Sequence, residues 1–272
     1  MNIEIENLHF TYPSGVAVLH GIHLTIAEHS CVAILGANGS GKTTLVRHFN
    51  GLLRPTDGRV RIGDWSTSDH SVSQLAARVG YVFQNPDDQL FKSSVRKELA
   101  FGPTNLGMSP EQVEMRVKYV LELFELDDKA EEHPADCSLP VRKLIAFAAV
   151  VAMDTPLLVL DEPTTGQDAR TIRLISRVID MLHKQDGKTI VAISHNMEFV
   201  AEHFERVVVM DQGQILLDGT PPEVFAQEDV LQSTSVYPPQ LARLGRRLGI
   251  KQVLCTPEDF LQELSKRKAT KL

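Results

Sequence analysis

The octapeptide Gly36-Ala37-Asn38-Gly39-Ser40-Gly41-Lys42-Thr43 directly follows the apolar run Cys31-Val32-Ala33-Ile34-Leu35. A short continuous apolar run suits a strand buried on both faces, as in a parallel sheet. The octapeptide itself fits the pattern G-x-x-x-x-G-K-[ST]. The glycines of that pattern let backbone N–H groups turn inward around phosphate oxygens, and the end of the next helix adds partial positive charge. Strand, tight loop and helix must therefore come in that order. Lys42 would reach the β- and γ-phosphates of a nucleoside triphosphate, and the Thr43 hydroxyl would ligate Mg²⁺. Gly36, Asn38, Gly39, Ser40, Gly41, Lys42, Thr43 and Thr44 are the candidate nucleotide contacts.

Similar apolar runs recur at Leu157–Leu160, Ile190–Ile193 and Val207–Met210, with helical segments between them. That texture predicts an α/β core with a mostly parallel sheet. The first segment differs. Ile3, Ile5, Leu8 and Phe10, then the stretch Val16–Ile26, alternate apolar and polar residues, which predicts strands with one buried face. Between Asn85 and Thr155 the pattern turns helical. Ser109-Pro110-Glu111-Gln112 reads as a capped helix start, continued by an apolar stripe at Val113, Val117, Val120, Leu121 and Phe124. A further helix is expected from near Ser138 to about Met153. The last fifty residues, from about Glu223, read as short helices broken by Pro238-Pro239, Gly245, Gly249 and Pro257. The basic tail from Lys266 to Lys271 reads as solvated.

A second motif narrows the chemistry. Leu157-Leu158-Val159-Leu160 leads straight into Asp161-Glu162. Asp161 would hold Mg²⁺ through its water shell, and Glu162 is placed to polarise an attacking water. His195 comes after the Ile190–Ile193 strand, where an open α/β sheet presents residues to its ligand crevice. It could hydrogen-bond the γ-phosphate. Gln84 comes after the Val79–Phe83 strand by the same logic, its amide oxygen able to touch Mg²⁺ or the water. Tyr12 offers a ring for adenine to stack on.

Together these residues resemble the ATP-binding subunits of ABC transporters. Tyr12 matches the adenine-stacking loop, Gly36–Thr43 the Walker A motif, Gln84 the Q-loop, Leu157–Glu162 the Walker B motif and His195 the switch histidine. Thr165-Gly166-Gln167-Asp168 looks like a D-loop. The resemblance implies ATP and Mg²⁺ as cofactors, with Glu162, His195 and Gln84 catalytic, and Thr43, Gln84 and Asp161 at the metal. It implies a P-loop NTPase (RecA-like) α/β core with a mostly parallel sheet and an N-terminal antiparallel β-subdomain. A helical subdomain is inserted at about 85–155. The ATP-binding domain would span residues 1–222, and a small C-terminal extension, 223–272, would serve dimerisation.

A narrower resemblance lies in Phe83-Gln84-Asn85-Pro86-Asp87-Asp88-Gln89-Leu90-Phe91 and Ala100-Phe101-Gly102-Pro103-Thr104-Asn105-Leu106-Gly107. These look like the ATPases of energy-coupling-factor importers of vitamins or of cobalt and nickel ions. That resemblance implies a second ATPase subunit, a transmembrane coupling protein and a substrate-binding membrane protein as partners. It places the chain on the cytoplasmic side of the membrane, with the segment Gln84–Phe91 toward the membrane partner. The cargo is left open. Asp87-Asp88 by itself reads as a solvated loop, without a third ligand for a metal.

One motif departs from the family. Where the signature Leu-Ser-Gly-Gly-Gln should open a helix, register from Pro134 and Ala146-Phe147-Ala148 places Cys137-Ser138-Leu139-Pro140-Val141. Ser138 remains the candidate contact to a partner's nucleotide. Pro140 has no N–H to give, Leu139 puts a side chain where backbone must approach phosphate, and Val141 lacks the glutamine's hydrogen bonds. Loss of one preorganised donor costs on the order of 3 kcal/mol of transition-state stabilisation by analogy with oxyanion sites. The expectation is an asymmetric heterodimer whose partner carries a sound signature. A homodimer would have two impaired sites.

Composition excludes other classes. With 43% apolar and 23% charged residues the 272-residue chain can bury a core. A net charge of −7 argues against nucleic acid as a partner. The longest apolar run, Leu144–Met153, is half a membrane span. The N-terminus does not read as a signal peptide, and three scattered cysteines fit a reducing compartment. Two alternatives remain: a regulatory ATP-binding subunit with little turnover, and a non-transport relative. Glu162 and His195 speak against the first. A single domain and the negative charge speak against the second.

Overall fold

The computed structural model describes residues 1–269. Its ten strands are β1 (Ile3–Thr11), β2 (Ala17–Ile26), β3 (Cys31–Leu35), β4 (Asp57–Ile62), β5 (Trp65–Ser66), β6 (Val79–Val82), β7 (Leu157–Asp161), β8 (Thr189–Ile193), β9 (Arg206–Asp211) and β10 (Gln214–Gly219). The first helices are α1 (Lys42–Val46), α2 (Val72–Leu75), α3 (Val95–Asn105), α4 (Pro110–Leu123), α5 (Leu139–Ala152), α6 (Ala169–Lys184) and α7 (Met197–His203). Four more close the described chain: α8 (Pro221–Phe225), α9 (Glu228–Ser233), α10 (Gln240–Arg247) and α11 (Pro257–Ala269).

Two sheets result. A six-stranded sheet runs β10-β9-β3-β8-β7-β6, and all its pairings are parallel except β10 on β9. A four-stranded antiparallel sheet runs β2-β1-β4-β5. The apolar runs explain the parallel sheet directly. In β3, Cys31, Ala33 and Leu35 face one core cluster while Val32 and Ile34 face the other. Strands β7, β8 and β9 divide the same way: Leu158 and Leu160, Ile190 and Ala192, Val207 and Val209 on one face, their neighbours on the opposite face. A strand covered on both faces has no use for a polar residue, so the period-2 signal disappears into a continuous run.

The second of these cores lies between the two sheets, where Ile3, Ile5, Leu8, Leu19, Ile22 and Leu24 meet the central sheet together with Leu45, Val46 and Phe49. This is why β1 and β2 alternate. The other core is shared by α3, α4, α5 and α6 with the central sheet, and Val224, Phe225, Leu231, Val236 and Cys255 of the C-terminal segment join it.

The helix starts are chemically specified. Ser109 and Gln112 form the expected reciprocal capping box at α4, a device worth about 1 kcal/mol. Helix α5 begins at Leu139 with Ser138 as its N-cap residue and Pro140 inside the first turn, where a missing N–H costs nothing. Asp168 caps α6 through Thr171 N. Strand β6 stops at Val82, two residues before Gln84. In the basic tail, Arg267 pairs with Glu263, while Lys271 lies outside the described residues.

Candidate nucleotide site

Strands β3, β8, β7 and β6 are neighbours, and their C-terminal ends carry, in turn, the Gly36–Thr43 loop, His195, Asp161-Glu162 and Gln84. Residues far apart in sequence thus meet at one edge of the sheet. A cavity of about 450 Å³ opens there, lined by Val18, Asn38, Gly39, Gly41, Lys42, Thr43, Thr44, Gln84 and Glu162, while Asp161 and His195 stand next to Glu162 outside the lining.

The loop is held in shape from behind. Gly36 has φ +145°, and a Cβ there would stand 2.1 Å from the carbonyl oxygen of Met210. Only glycine lets the loop lie that close to β9. The N–H of Gly213, in the β9–β10 turn, donates to the Ser40 carbonyl at 3.0 Å. Lys42 folds over the loop and donates to the carbonyls of Gly36 and Ala37, each at 2.8 Å. Burial pushes its pKa down, against the pull of Glu162 and Asp161. The ammonium is therefore held at the cavity by backbone oxygens that a phosphate would outcompete.

Asp161 is 2% exposed, and burial raises its carboxyl above the ordinary range. The hydroxyl of Tyr81 donates to Oδ2 at 3.1 Å. Its Oδ1 is buried without a partner. A buried carboxylate oxygen with no donor, one residue before the cavity-lining Glu162, suits a hard cation such as Mg²⁺. Among the described residues no group of three or more His, Cys, Asp or Glu is placed to hold a metal ion.

Glu162 adopts φ +55°, a conformation that costs a non-glycine residue about 1 kcal/mol. Three contacts fix it there. Its N–H donates to Ile193 O at 3.0 Å, its Oε1 lies 3.2 Å from His195 Nε2, and its Oε2 accepts from the Thr165 hydroxyl at 3.0 Å. Strain held this firmly at the mouth of a cavity is characteristic of functional residues.

Tyr12 stands beside the cavity rather than in its lining. Its hydroxyl is 3.1 Å from Thr44 Oγ1, and its ring meets Phe10 edge-on at 4.8 Å. Ser138 lies on the surface, away from the lining residues, and its side chain makes no capping bond. Leu139 beside it is 48% exposed. Asp87 is exposed, as its solvated reading in the sequence expects, and also pairs with Arg142 of α5 at 2.5 Å. Gln89 adds a second tie, donating to Ala146 O at 2.7 Å and accepting from Phe83 N at 3.1 Å.

Tyr81 was not legible as a site residue. The available signal was a tyrosine inside the buried strand Val79–Val82, whose hydroxyl had to find a partner. A second, largely apolar cavity of about 230 Å³ opens between the core and the helices. Leu52, Val72, Phe83, Phe91, Phe101 and Met153 are among its lining residues. Phe91 and Phe101 are 61% and 38% exposed and pack edge to face. Among the described residues no helix is long and apolar enough to cross a membrane.

Comparison with known proteins gives concordant matches. The family model described as "ABC transporter" matches residues 19–165. The energy-coupling factor transporter ATP-binding protein EcfA2 of Clostridium perfringens is 39% identical over 268 residues, 96% of this chain and 94% of that protein. A putative ABC transporter ATP-binding protein of Methanosarcina acetivorans is 41% identical over 254 residues, which is 92% of this chain. The match spans 41% of that protein, so this chain is less than half its length. Among solved structures, cbiO1 from Clostridium perfringens, part of the ABC transporter complex cbiONQ, superposes with a TM-score of 0.75. It is 33% identical, covering 91% of this chain and 98% of that one.

Proposed function

The chain belongs to the ABC transporter family, and from that premise we propose that it binds and hydrolyses ATP to energise an importer of the energy-coupling-factor type. The observation that carries this reading is the convergence of the phosphate loop, Gln84 and Glu162 on one cavity, beside the unpartnered Asp161 Oδ1. ATP would lie with its phosphates over Gly39–Thr44 and its adenine toward Tyr12. Thr43, Asp161 and Gln84 would hold Mg²⁺, which neutralises charge on the phosphate oxygens. Lys42 exchanges two carbonyls for phosphate oxygens. The attacking water hydrogen-bonds to the Glu162 carboxylate, which takes its proton. His195 and Thr165 hold that carboxylate in line.

The partner arrangement belongs to the same proposal. Residues 1–222 form the ATP-binding domain with its helical subdomain at about 85–155, and residues 223–272 serve pairing. Ser138 on its exposed turn faces the nucleotide of a second ATPase subunit. With Leu139 and Pro140 in place of two glycines that contact is poor. The pair is therefore asymmetric, with turnover at this chain's phosphate loop and slow or no turnover at the partner's. The apolar groove at Phe91 and Phe101, beside the Gln84 loop, receives a transmembrane coupling protein that carries the substrate-binding membrane protein. That places the chain peripherally on the cytosolic membrane face.

ATPase assays of the chain alone and in its assembled complex test this reading. Low activity alone, high activity in the complex, and loss of at least about a hundredfold on Glu162→Gln are expected, the usual scale of a general base. Strong activity from the isolated chain, or none lost on that substitution, would overturn it.

A further inference from the structure

Thr165 is held from two sides. Its hydroxyl donates to Glu162 Oε2 at 3.0 Å, and its carbonyl accepts from the Lys143 ammonium at 2.8 Å. Lys143 belongs to the first turns of α5, and two residues beyond Thr165 a second bond joins the same elements: Gln167 Nε2 donates to Pro140 O at 3.1 Å. Gly166, with φ +77°, makes the bend between these two anchors. The loop from Glu162 to Asp168 is thus fastened to the N-terminal end of α5 at two points within one chain.

A lysine on a helix surface ordinarily reaches for water. Lys143 instead lies half-buried, at a desolvation cost that lowers its pKa, while Glu162 and Asp161 attract it. A neutral donor would satisfy the carbonyl. The ammonium also brings a positive charge that Glu162 and Asp161 attract, so the charge supports what the hydrogen bond to Thr165 fixes.

We propose that Lys143 is a positioning residue for Glu162, acting through Thr165, so that the first turns of α5 set the orientation of the carboxylate. The inference rests on the reading of Glu162 as the general base. Its consequence is a short cis connection. Ser138, on the turn that would meet a partner's nucleotide, lies little more than one helical turn before Lys143, and two hydrogen bonds then lead to the carboxylate at this chain's own phosphate loop. A shift of α5 as the pair closes would move Thr165 and with it Glu162.

The test compares Lys143→Met, Lys143→Arg, Thr165→Val and Glu162→Gln in the full chain within its assembled complex, by steady-state and single-turnover ATP hydrolysis. Lys143→Met should lower kcat by about tenfold, leave KM for ATP within about twofold, and add nothing to the loss in Glu162→Gln, because residues acting through one group are not additive. Lys143→Arg should recover at least half of the turnover. If Lys143→Met does not fold, Thr165→Val removes only the hydroxyl and should show the same kcat loss. Wild-type kcat in both, or a loss that falls on KM or adds to that of Glu162→Gln, would overturn the role of Lys143. Unimpaired turnover in Glu162→Gln would instead overturn the reading of Glu162 on which the inference stands.

Discussion

Asp87 Oδ1 lies 2.5 Å from Arg142 Nη1, which fastens the loop after Gln84 to helix α5 one residue before Lys143 reaches Thr165. Adjacent side chains of one helix therefore hold the two loops that follow the cavity-lining Gln84 and Glu162. The first pair is partly solvent-exposed, 55% for Asp87 and 24% for Arg142, so its contribution to stability is small, about 0–1 kcal/mol. Asp87→Asn should leave the melting temperature within about 3 °C of wild type. ATP affinity should be unchanged, and the stimulation of ATPase activity by the membrane partner should fall several-fold. Thermal melts and ATPase assays with and without that partner check both halves.

Lys42 commits its ammonium to the Gly36 and Ala37 carbonyls. Lys42→Ala removes a charge-assisted contact to phosphate worth about 1.5–3 kcal/mol. ATP affinity should drop roughly tenfold to a hundredfold, as read by equilibrium binding. Lys42→Arg should not restore it, because a planar fork does not replace a point charge in so tight a loop.

Asp161 ties stability to pH with a defined sign. Burial raises its carboxyl above the ordinary carboxylate range. Between the ordinary value and the raised one, the folded chain keeps a proton that the unfolded chain releases. The stability contributed by this group therefore falls as pH rises through that window. Asp161→Asn should melt a few degrees above wild type at neutral pH without nucleotide. The gap should close as pH drops below the ordinary carboxylate range. The same variant should lose the stabilisation that ATP with Mg²⁺ gives the wild type.

Gly80 in β6 leaves no room for a side chain. A Cβ there would lie 2.5 Å from Val150 Cγ1, 2.7 Å from Thr155 Oγ1 and 2.9 Å from Leu158 Cδ2. Gly80→Ala should destabilise by about 1–3 kcal/mol through overpacking where α5 crosses the sheet. Denaturant unfolding with an unchanged m-value would show it.

Much of this site is legible in the sequence. The strands that carry it are buried on both faces, so each appears in the sequence as an unbroken apolar run with the candidate residues at or just after its end. Gly36–Thr43, Asp161-Glu162 and His195 all stand in that place. What stayed hidden depends on which helix lies over which loop. Neither the Arg142–Asp87 pair nor the Lys143–Thr165 bond has a local pattern, since the partners are 55 and 22 residues apart. Tyr81 was hidden for a related reason: a phenol in a buried strand announces that it needs a partner but not which one. The left-handed turn at Glu162 was equally silent, because the sequence shows an ordinary glutamate there.

Unequal chemistry at two paired sites is tested most directly by loading the assembled complex with radiolabelled ATP and quenching in acid after one turnover. Two nucleotides bound per ATPase pair, with one converted to ADP and the other recovered as ATP, is the expected result. Glu162→Gln in this chain should leave both as ATP. Conversion of both nucleotides at the same rate, or of one nucleotide that Glu162→Gln does not protect, would contradict the account.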